Sequence, residues 1–129
     1  MNILLDTNVL VWALAAPRRL RADAQKTIES RDNVVYVSAV SAWEIAIKVA
    51  LGRLPAPADV ATWLPREMEA AHFTALPITI GHAALVENLP LHHRDPFDRL
   101  LIAQARAGGL TLMSGDSVFS RYDVDLIRC

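Results

Sequence analysis

Five short apolar runs, separated by longer helical patterns, restrict this chain to a small number of folds. The runs are continuously apolar rather than alternating, which is typical of strands in a parallel sheet covered on both faces. The runs occupy residues 3–5, 34–37, 74–77, 110–113 and 124–127, and the main helical patterns occupy residues 9–15, 20–30, 41–51, 59–71, 81–88 and 95–107. This order predicts an α/β sandwich around a central, mostly parallel sheet of four to five strands.

Composition narrows the class of protein further. The chain has 129 residues, enough for one domain with its own core, and we expect residues 1–129 to form a single domain. A hydrophobic fraction of 53% excludes disorder, and a single cysteine, Cys129, excludes a disulfide framework. The first residues lack the basic region of a signal peptide, and no uncharged stretch is long enough to cross a membrane. We therefore expect a cytoplasmic protein without membrane attachment.

Net charge limits the ways in which this chain can bind nucleic acid. The 13 Lys and Arg residues are balanced by 14 Asp and Glu residues, which gives a net charge of -1. Such a balance argues against a protein that holds DNA mainly by bulk electrostatics, although it does not exclude nucleic acid as a substrate.

Acidic residues follow several of the predicted strands or begin the neighbouring helices. Asp6 directly follows the first strand, Asp116 follows the fourth, and Glu44 is on the first turn of the predicted helix after the second strand. Asp95 and Asp98 open the helix before the fourth strand. Because active sites in parallel α/β folds lie beyond the carboxyl ends of the strands, we expect these carboxylates to meet in one cleft.

Each acid also has a structural explanation when it is considered alone. Ser41 and Glu44 have the spacing of a capping box, and Asp6, Asp95 and Asp116 each precede a predicted helix that they can cap. The set as a whole is better explained by a cation, since clustered carboxylates repel one another and oxygen ligands suit Mg²⁺ or Mn²⁺. Divalent ions held by several carboxylates are well suited to phosphodiester hydrolysis.

Four segments of the chain carry a family resemblance. They are LLDTN at 4–8, SAVSAWEI at 38–45, DPFDRLLIAQA at 95–105 and LMSGD at 112–116. Together they resemble the PIN-domain ribonucleases, and among these the VapC toxins of bacterial type II toxin–antitoxin systems. The resemblance covers nearly the whole chain. It implies a PIN-like α/β/α domain, Mg²⁺- or Mn²⁺-dependent endoribonuclease activity on RNA, a homodimer, and inhibition by a VapB-type antitoxin.

The same resemblance implies roles for the acids. It makes Asp6, Glu44, Asp98 and Asp116 the catalytic and metal-binding quartet. Asp6, Asp98 and Asp116 would hold the metal directly or through water, and Glu44 would orient or deprotonate the attacking water. The spacing to the Ile-Ala pair at 102–103 favours Asp98 over Asp95 as the ligand. Asp95 then becomes the N-cap of its helix or a supporting residue.

Polar residues beside these acids are open to two interpretations. Thr7, Asn8 and Ser114 either hold the acids or a phosphate, or serve as ordinary caps and turns. Arg94 and Arg99 either bind the scissile phosphate and neutralise the acids, or form solvated ion pairs.

Histidines, a basic cluster and three tryptophans complete the candidates. His92 and His93 suggest zinc, but the other histidines lack ligand spacing, which favours a surface loop or a contact with RNA phosphate. The arginines at 18–21 are either an RNA track or a charged loop. Core or interface packing is favoured over base stacking for the tryptophans Trp12, Trp43 and Trp63.

Two other functions compete with the ribonuclease hypothesis. An aspartate-based phosphohydrolase would use Asp6 as a covalent nucleophile, but it needs a second aspartate where this chain has Asn8. A catalytically inactive PIN-like module would only bind RNA or a partner, and the presence of all four acids argues against it. Phosphate-binding glycine loops and the serine nucleophile elbow are absent from the sequence.

Overall fold

The protein forms a five-stranded sheet flanked by six α-helices, as seen in a computed structural model that describes residues 1–129. The elements are β1 (Asn2–Leu5), α1 (Thr7–Ala15), α2 (Ala22–Glu29), β2 (Val34–Ser38), α3 (Ala39–Ala50), α4 (Val60–Ala71), β3 (Thr74–Leu76), α5 (Ile80–Leu85), α6 (Pro96–Gly108), β4 (Thr111–Ser114) and β5 (Leu126–Arg128). Short 3₁₀ turns occupy Pro17–Arg19, Val86–Asn88 and Ser117–Arg121. None of the helices is long and apolar enough to cross a membrane.

The strand order places the start of the chain at the centre of the sheet. The order is β3-β2-β1-β4-β5, and every neighbouring pair is parallel. Leu4 of β1 pairs with Tyr36 of β2 on one side and with Leu112 of β4 on the other. The predicted parallel sheet is confirmed, and its carboxyl edge gathers the residues that follow β1 and β4.

Alternate residues of β1 are buried against opposite layers of helices. Ile3 and Leu5 belong to a core that includes residues of α1, α2, α3 and α4, whereas Leu4 belongs to a core formed mainly with α6. All three side chains are fully buried. Burying an aliphatic side chain of this size contributes about 1.5–3 kcal/mol. The two cores explain why the strands are apolar on both faces.

The helix starts differ from the predicted ones by one or two residues, and for α1 and α3 the cap explains the difference. Helix α1 begins at Thr7 rather than at residue 9, because Asp6 is its N-cap and accepts a hydrogen bond from the Val9 amide at 2.8 Å. Helix α3 begins at Ala39 rather than at residue 41, because the Ser38 hydroxyl accepts from the Val40 amide at 3.0 Å. Two serines three residues apart offer competing caps, and the one that ends β2 is used.

Helix α6 begins with the predicted cap and ends at Gly108, one residue later than predicted. Asp95 is its N-cap, Pro96 takes the first helical position, and the helix ends before Gly109. Gly109 adopts a left-handed conformation with φ +62°, which a residue without a Cβ tolerates at little cost. This helix carries Asp98 on its first turn.

Candidate active site

The four predicted acids approach one another at the carboxyl edge of the sheet. Asp6 follows β1, Asp116 follows β4, Asp98 is in the first turn of α6, and Glu44 is in α3. Their charges interact: repulsion from Asp6, Glu44 and Asp116 contributes to raising the pKa of Asp98. Glu44 and Asp116 likewise help to raise the pKa of Asp6. The arrangement therefore concentrates negative charge at one place in the molecule.

Asp6 is the most enclosed member of this acidic cluster, with 4% of its surface exposed. Its Oδ1 accepts from the Val9 amide, and its Oδ2 accepts from the Ser114 hydroxyl. Burial is the main cause of its raised pKa, and the two hydrogen bonds partly oppose that effect. The carboxylate is thus held in one orientation by the first turn of α1 and by the last residue of β4.

Ser114 links two of the acids. Its buried hydroxyl donates to Asp6 and also accepts from the Asp116 amide at 3.0 Å. Asp116 is exposed, and its Oδ1 accepts from the Val118 amide at 3.0 Å, which makes it the N-cap of the Ser117–Arg121 turn. The predicted capping contact of Asp116 is confirmed, and one oxygen of its carboxylate has no hydrogen bond within the chain.

Thr7 and Asn8 do not hold the acids in this structure. The Thr7 hydroxyl is buried and donates to Ser41 at 3.0 Å. Asn8 is exposed on the first turn of α1, and its side chain makes no hydrogen bond. The contact between Thr7 and Ser41 joins α1 to α3, next to the acidic cluster.

Glu44 does not form the capping box that its spacing to Ser41 suggests. Because α3 begins at Ala39, Glu44 is on the second turn of the helix and not the first. It pairs with Lys48 one turn later, at 2.8 Å, and only 12% of its side chain is exposed. Glu44 is therefore free of any capping role and remains near Asp6 and Asp98.

Asp95 and Asp98 have different roles in the structure. Asp95 is exposed and caps α6, since its Oδ1 accepts from the Phe97 and Asp98 amides at 2.9 and 3.0 Å. Asp98 is partly buried, and its pKa is raised to about 7. Burial is the largest cause, followed by repulsion from Asp95 and from the other acids. Of the two, Asp98 is the carboxylate packed toward the cluster.

A series of hydrogen-bonded side chains supports the Asp98 carboxylate. The Nε2 atom of His93 lies 3.3 Å from Oδ2 of Asp98, and its Nδ1 atom lies 2.7 Å from the Tyr122 hydroxyl. Arg99 donates to that hydroxyl at 3.2 Å. Since arginine only donates, the Tyr122 proton is left to point toward Nδ1. In a neutral ring the proton on Nε2 then faces the Asp98 carboxylate.

Arg99 is not the solvated ion pair that the sequence offered as one interpretation. Only 8% of its surface is exposed, and no carboxylate lies within 4.0 Å of it. Its guanidinium donates to the carbonyls of Pro90 at 2.8 Å and Leu89 at 3.3 Å, besides Tyr122. These contacts fasten the loop before α6 and leave little surface for a phosphate.

Sequence reasoning missed the contribution of His93 and Tyr122 to this site. The sequence indicates for His93 only a zinc ligand, a loop residue or a phosphate contact, and it gives no signal for Tyr122. The two residues are 29 positions apart, so no local pattern links them. Only the packing of the loop after β4 against the loop before α6 brings them together.

Trp43 differs from the other two tryptophans. Trp12 and Trp63 pack partly buried against the first core, whereas 57% of Trp43 is exposed. The Trp43 ring meets Phe97 edge-on, with centroids 5.0 Å apart. Trp43 is therefore not a core residue, and packing at an interface stays a prediction for it. Its contact with Phe97 joins α3, which carries Glu44, to α6, which carries Asp98.

The donor set fits a hard divalent ion better than zinc. No three His, Cys, Asp or Glu side chains are placed to hold a metal ion by themselves. Structural and catalytic zinc sites need such a set of three or four protein ligands. Mg²⁺ instead keeps several waters and uses one or two carboxylates, and the repulsion within the acidic cluster favours binding of a cation.

Comparison with known proteins places this fold and site in a family. Residues 3–125 match the sequence profile of the PIN domain. The chain belongs to the PIN-domain family. The resemblance predicted from the four motifs is confirmed, since the match spans all of them.

Relatives of this PIN domain include named ribonucleases and toxin–antitoxin proteins. It is 35% identical to Ribonuclease VapC22 of Mycobacterium tuberculosis over 116 residues, which cover 89% of this chain and 87% of that protein. It shares its fold with VapBC2 of Rickettsia felis bound to promoter DNA, at a TM-score of 0.74 and 15% identity over 99% of this chain and 98% of that one. VapBC-5 of M. tuberculosis has the same fold, at a TM-score of 0.64 and 22% identity over 99% and 98% of the two chains.

Proposed function

We propose that this PIN domain is a Mg²⁺- or Mn²⁺-dependent endoribonuclease that acts as the toxin of a type II toxin–antitoxin pair. The observation that carries the proposal is the convergence of Asp6, Glu44, Asp98 and Asp116. Burial, together with a smaller contribution from their mutual repulsion, raises the pKa values of Asp6 and Asp98. The similarity to Ribonuclease VapC22 over most of the chain supports RNA as the substrate. The site and the relative point to the same chemistry.

In the proposed mechanism three of the acids bind the metal ion and the fourth acts on the attacking water. Asp6 would hold the ion directly, and Asp98 and Asp116 would hold it directly or through water. When bound, the ion would activate water and stabilise charge developing on the phosphate. Ser114 and the Val9 amide hold the Asp6 carboxylate in one orientation. Glu44, paired with Lys48 and largely buried, is positioned to orient the attacking water and accept its proton. Asp95 serves α6 as its cap and takes no part in the chemistry.

The toxin role adds a partner and an assembly to the proposal. The solved structures with this fold include VapBC toxin–antitoxin complexes, which supports a VapB-type antitoxin as the inhibitor of this chain. We further expect a homodimer that acts on RNA in the cytoplasm. Coexpression with the antitoxin should suppress any growth arrest that the domain causes.

Two measurements test the nuclease activity. Purified wild-type protein should cleave single-stranded RNA with Mg²⁺ or Mn²⁺ and lose activity with EDTA. Asp6→Asn should lose cleavage and growth arrest, because asparagine can still cap α1 but carries no negative charge. Asp32→Asn is the matched control, since Asp32 is exposed before β2, at the opposite edge of the sheet. Equal cleavage or equal growth arrest by wild type and Asp6→Asn would rule out the mechanism.

The two competing functions lack support in the structure. An aspartate-based phosphohydrolase needs a second acid two positions after Asp6, and that position is an exposed asparagine without a side-chain contact. A purely binding module has no need of four converging acids, whose repulsion costs stability. A phosphoryl group trapped on Asp6, or tight RNA binding without cleavage under any divalent ion, would favour one of these instead.

A further inference from the structure

A second charged feature lies beside the acidic cluster. A cavity of about 320 Å³ opens next to the first turn of α1, and we call it the basic cavity. Its polar lining consists of Thr7 and Asn8 of α1, Arg19 of the following turn, Lys48 of α3 and Arg53 beyond α3. None of its nine lining residues is acidic. Three cations therefore share one small space that contains no carboxylate.

Two of these cations have neither a salt bridge nor a side-chain hydrogen bond within the chain. Neither Arg19 nor Arg53 has a carboxylate within 4.0 Å, and neither guanidinium donates a hydrogen bond within the chain. Lys48 pairs only with Glu44, at the boundary with the acidic cluster. Like charges facing one cavity repel each other, and an anion between them relieves that repulsion. The planar fork of an arginine matches the oxygens of a phosphate group.

The position of Arg19 is set by an aromatic contact. Its guanidinium carbon lies 4.7 Å from the centroid of the Trp12 ring, which also lines the cavity. The Cζ3 and Cη2 atoms of that ring lie near Gly115, where a Cβ would stand 3.6 Å from Cζ3. Gly115 separates Ser114 from Asp116. Trp12 therefore spans the distance between the basic cavity and the acidic cluster.

The basic cavity also adjoins the acids through the main chain. Thr7 and Asn8 directly follow Asp6, and Lys48 is bonded to Glu44 at 2.8 Å. A nucleic-acid strand whose scissile phosphodiester lies on the acids carries another phosphodiester one nucleotide away. The basic cavity therefore offers a site for an anion beside the acids, on the side of the cluster where Lys48 meets Glu44.

We propose that the basic cavity binds a backbone phosphodiester of the RNA substrate, adjacent to the scissile one, through Arg19 and Arg53. This inference rests on the proposed ribonuclease function and adds to it a second phosphate contact. Asn8 faces the same space and supplies an amide donor for the phosphate or for a ribose hydroxyl. The contact fixes the direction of the strand across the acids without reading its sequence.

The test measures RNA binding in the absence of cleavage. The starting protein is the full chain with Asp6→Asn, and the probe is a fluorescein-labelled single-stranded RNA of eight nucleotides. Adding Arg19→Gln and Arg53→Gln should weaken binding at least tenfold and lower the slope of log K against log salt by about 1. The matched control adds Arg66→Gln and Arg106→Gln, which alter two exposed arginines outside the cavity. The control should retain affinity to within about threefold.

Every outcome decides the proposal. Unchanged affinity and salt slope in the Arg19 and Arg53 variant would overturn it, as would an equal loss in the control. If the starting protein binds no RNA, the cavity does not serve an RNA phosphate. If the protein with both Arg19→Gln and Arg53→Gln binds RNA normally but loses a copurifying acidic protein partner, the cavity belongs to that partner and the proposal is wrong.

Failure of the cavity proposal is distinguishable from failure of the proposed function. Cleavage by the wild-type chain is scored separately, with the Asp6→Asn comparison described above. If the wild type cleaves RNA while the Arg19 and Arg53 substitutions change neither binding nor the Michaelis constant, only the cavity assignment falls. In the wild-type background the two substitutions should raise the Michaelis constant at least fivefold. A titration with inorganic phosphate shows whether the cavity binds the free anion as well as the RNA backbone.

Discussion

The hydroxyl of Tyr122 lies 2.7 Å from Nδ1 of His93, and this contact connects a buried arginine to the acidic cluster. Arg99 donates to the same hydroxyl at 3.2 Å, and His93 reaches Asp98 through its other nitrogen at 3.3 Å. Supporting residues of this kind hold a ligand in orientation and contribute to metal affinity. The orientation of Asp98 therefore depends on Tyr122 and Arg99, neither of which is itself hydrogen-bonded to an acid of the cluster.

Removal of the Tyr122 hydroxyl tests this support. Tyr122→Phe keeps the buried ring but leaves Arg99 and His93 without a shared partner. We expect a loss of about 1–2 kcal/mol in the free energy of unfolding and roughly tenfold weaker Mg²⁺ binding. Urea denaturation and Mg²⁺ titration of cleavage measure these effects. Tyr36→Phe is the control, since the Tyr36 hydroxyl makes no hydrogen bond within the chain, and an equal effect there would refute the explanation.

Arg99 should contribute more to stability than any exposed arginine. Arg99→Met preserves much of the buried stem but leaves the carbonyls of Leu89 and Pro90 without their donor. Losing hydrogen bonds between a charged group and buried acceptors is expected to cost about 2–4 kcal/mol. Arg106→Met, on the exposed side of the same helix, should change stability by less than about 0.5 kcal/mol. Similar melting temperatures for the two variants would contradict the assigned role.

The parallel fold could be predicted because each strand is recognisable from a short apolar stretch of sequence. Runs such as residues 3–5 and 110–113 are apolar on both faces, and Asp95 with Pro96 marks the start of α6. The meeting of Asp6 with Asp116 followed from a topological rule, since residues after neighbouring parallel strands share an edge. These inferences need only short segments and a general property of sheets.

Side-chain contacts between distant segments could not be predicted in the same way. The link between His93 and Tyr122 depends on how two loops pack, and the cap of α3 depends on which of two serines ends β2. The basic cavity brings Arg19 and Arg53 together from separate turns, although each is an ordinary exposed arginine in sequence. Tertiary packing determines all three features, and local sequence propensity does not predict them.

The raised pKa of Asp98 makes the free energy of unfolding depend on pH. The pKa is about 7 in the folded protein against an ordinary value of 3.8, so between these values the folded state binds more protons than the unfolded state. Stability of the metal-free protein therefore falls as pH rises through this window and levels off above it. Asp6 contributes in the same direction.

Comparison of two proteins in EDTA isolates this effect from other titrations. Between pH 4.5 and 8, wild type should lose on the order of 1–2 kcal/mol relative to Asp98→Asn, after allowance for the partial exposure of Asp98. Urea denaturation at each pH gives the difference. Parallel stability profiles for wild type and Asp98→Asn would show that the pKa of Asp98 is not raised in the folded protein.

Divalent ions should stabilise the protein by relieving the same repulsion. At a Mg²⁺ or Mn²⁺ concentration 100 times the dissociation constant, the free energy of unfolding should rise by about 2.7 kcal/mol. A thermal melt at constant ionic strength measures the shift. Asp6→Asn should reduce it strongly, whereas Asp32→Asn should retain it. The absence of a shift in wild type at millimolar Mn²⁺ would contradict the assignment of the acidic cluster as a metal site.

Ser114 offers a test in which no charged residue is changed. Ser114→Ala removes the donor to Asp6 and the acceptor of the Asp116 amide, so both acids lose their shared support. Because the hydrogen bond from Ser114 opposes the rise in the pKa of Asp6, its loss should raise that pKa further and weaken metal binding tenfold or more. The free energy of unfolding should fall by about 1–3 kcal/mol. Ser120→Ala, at an exposed serine that bonds only to the Ser117 carbonyl, is the control and should behave as wild type. An unchanged Mg²⁺ midpoint for RNA cleavage in Ser114→Ala would show that the orientation of Asp6 does not depend on this hydroxyl.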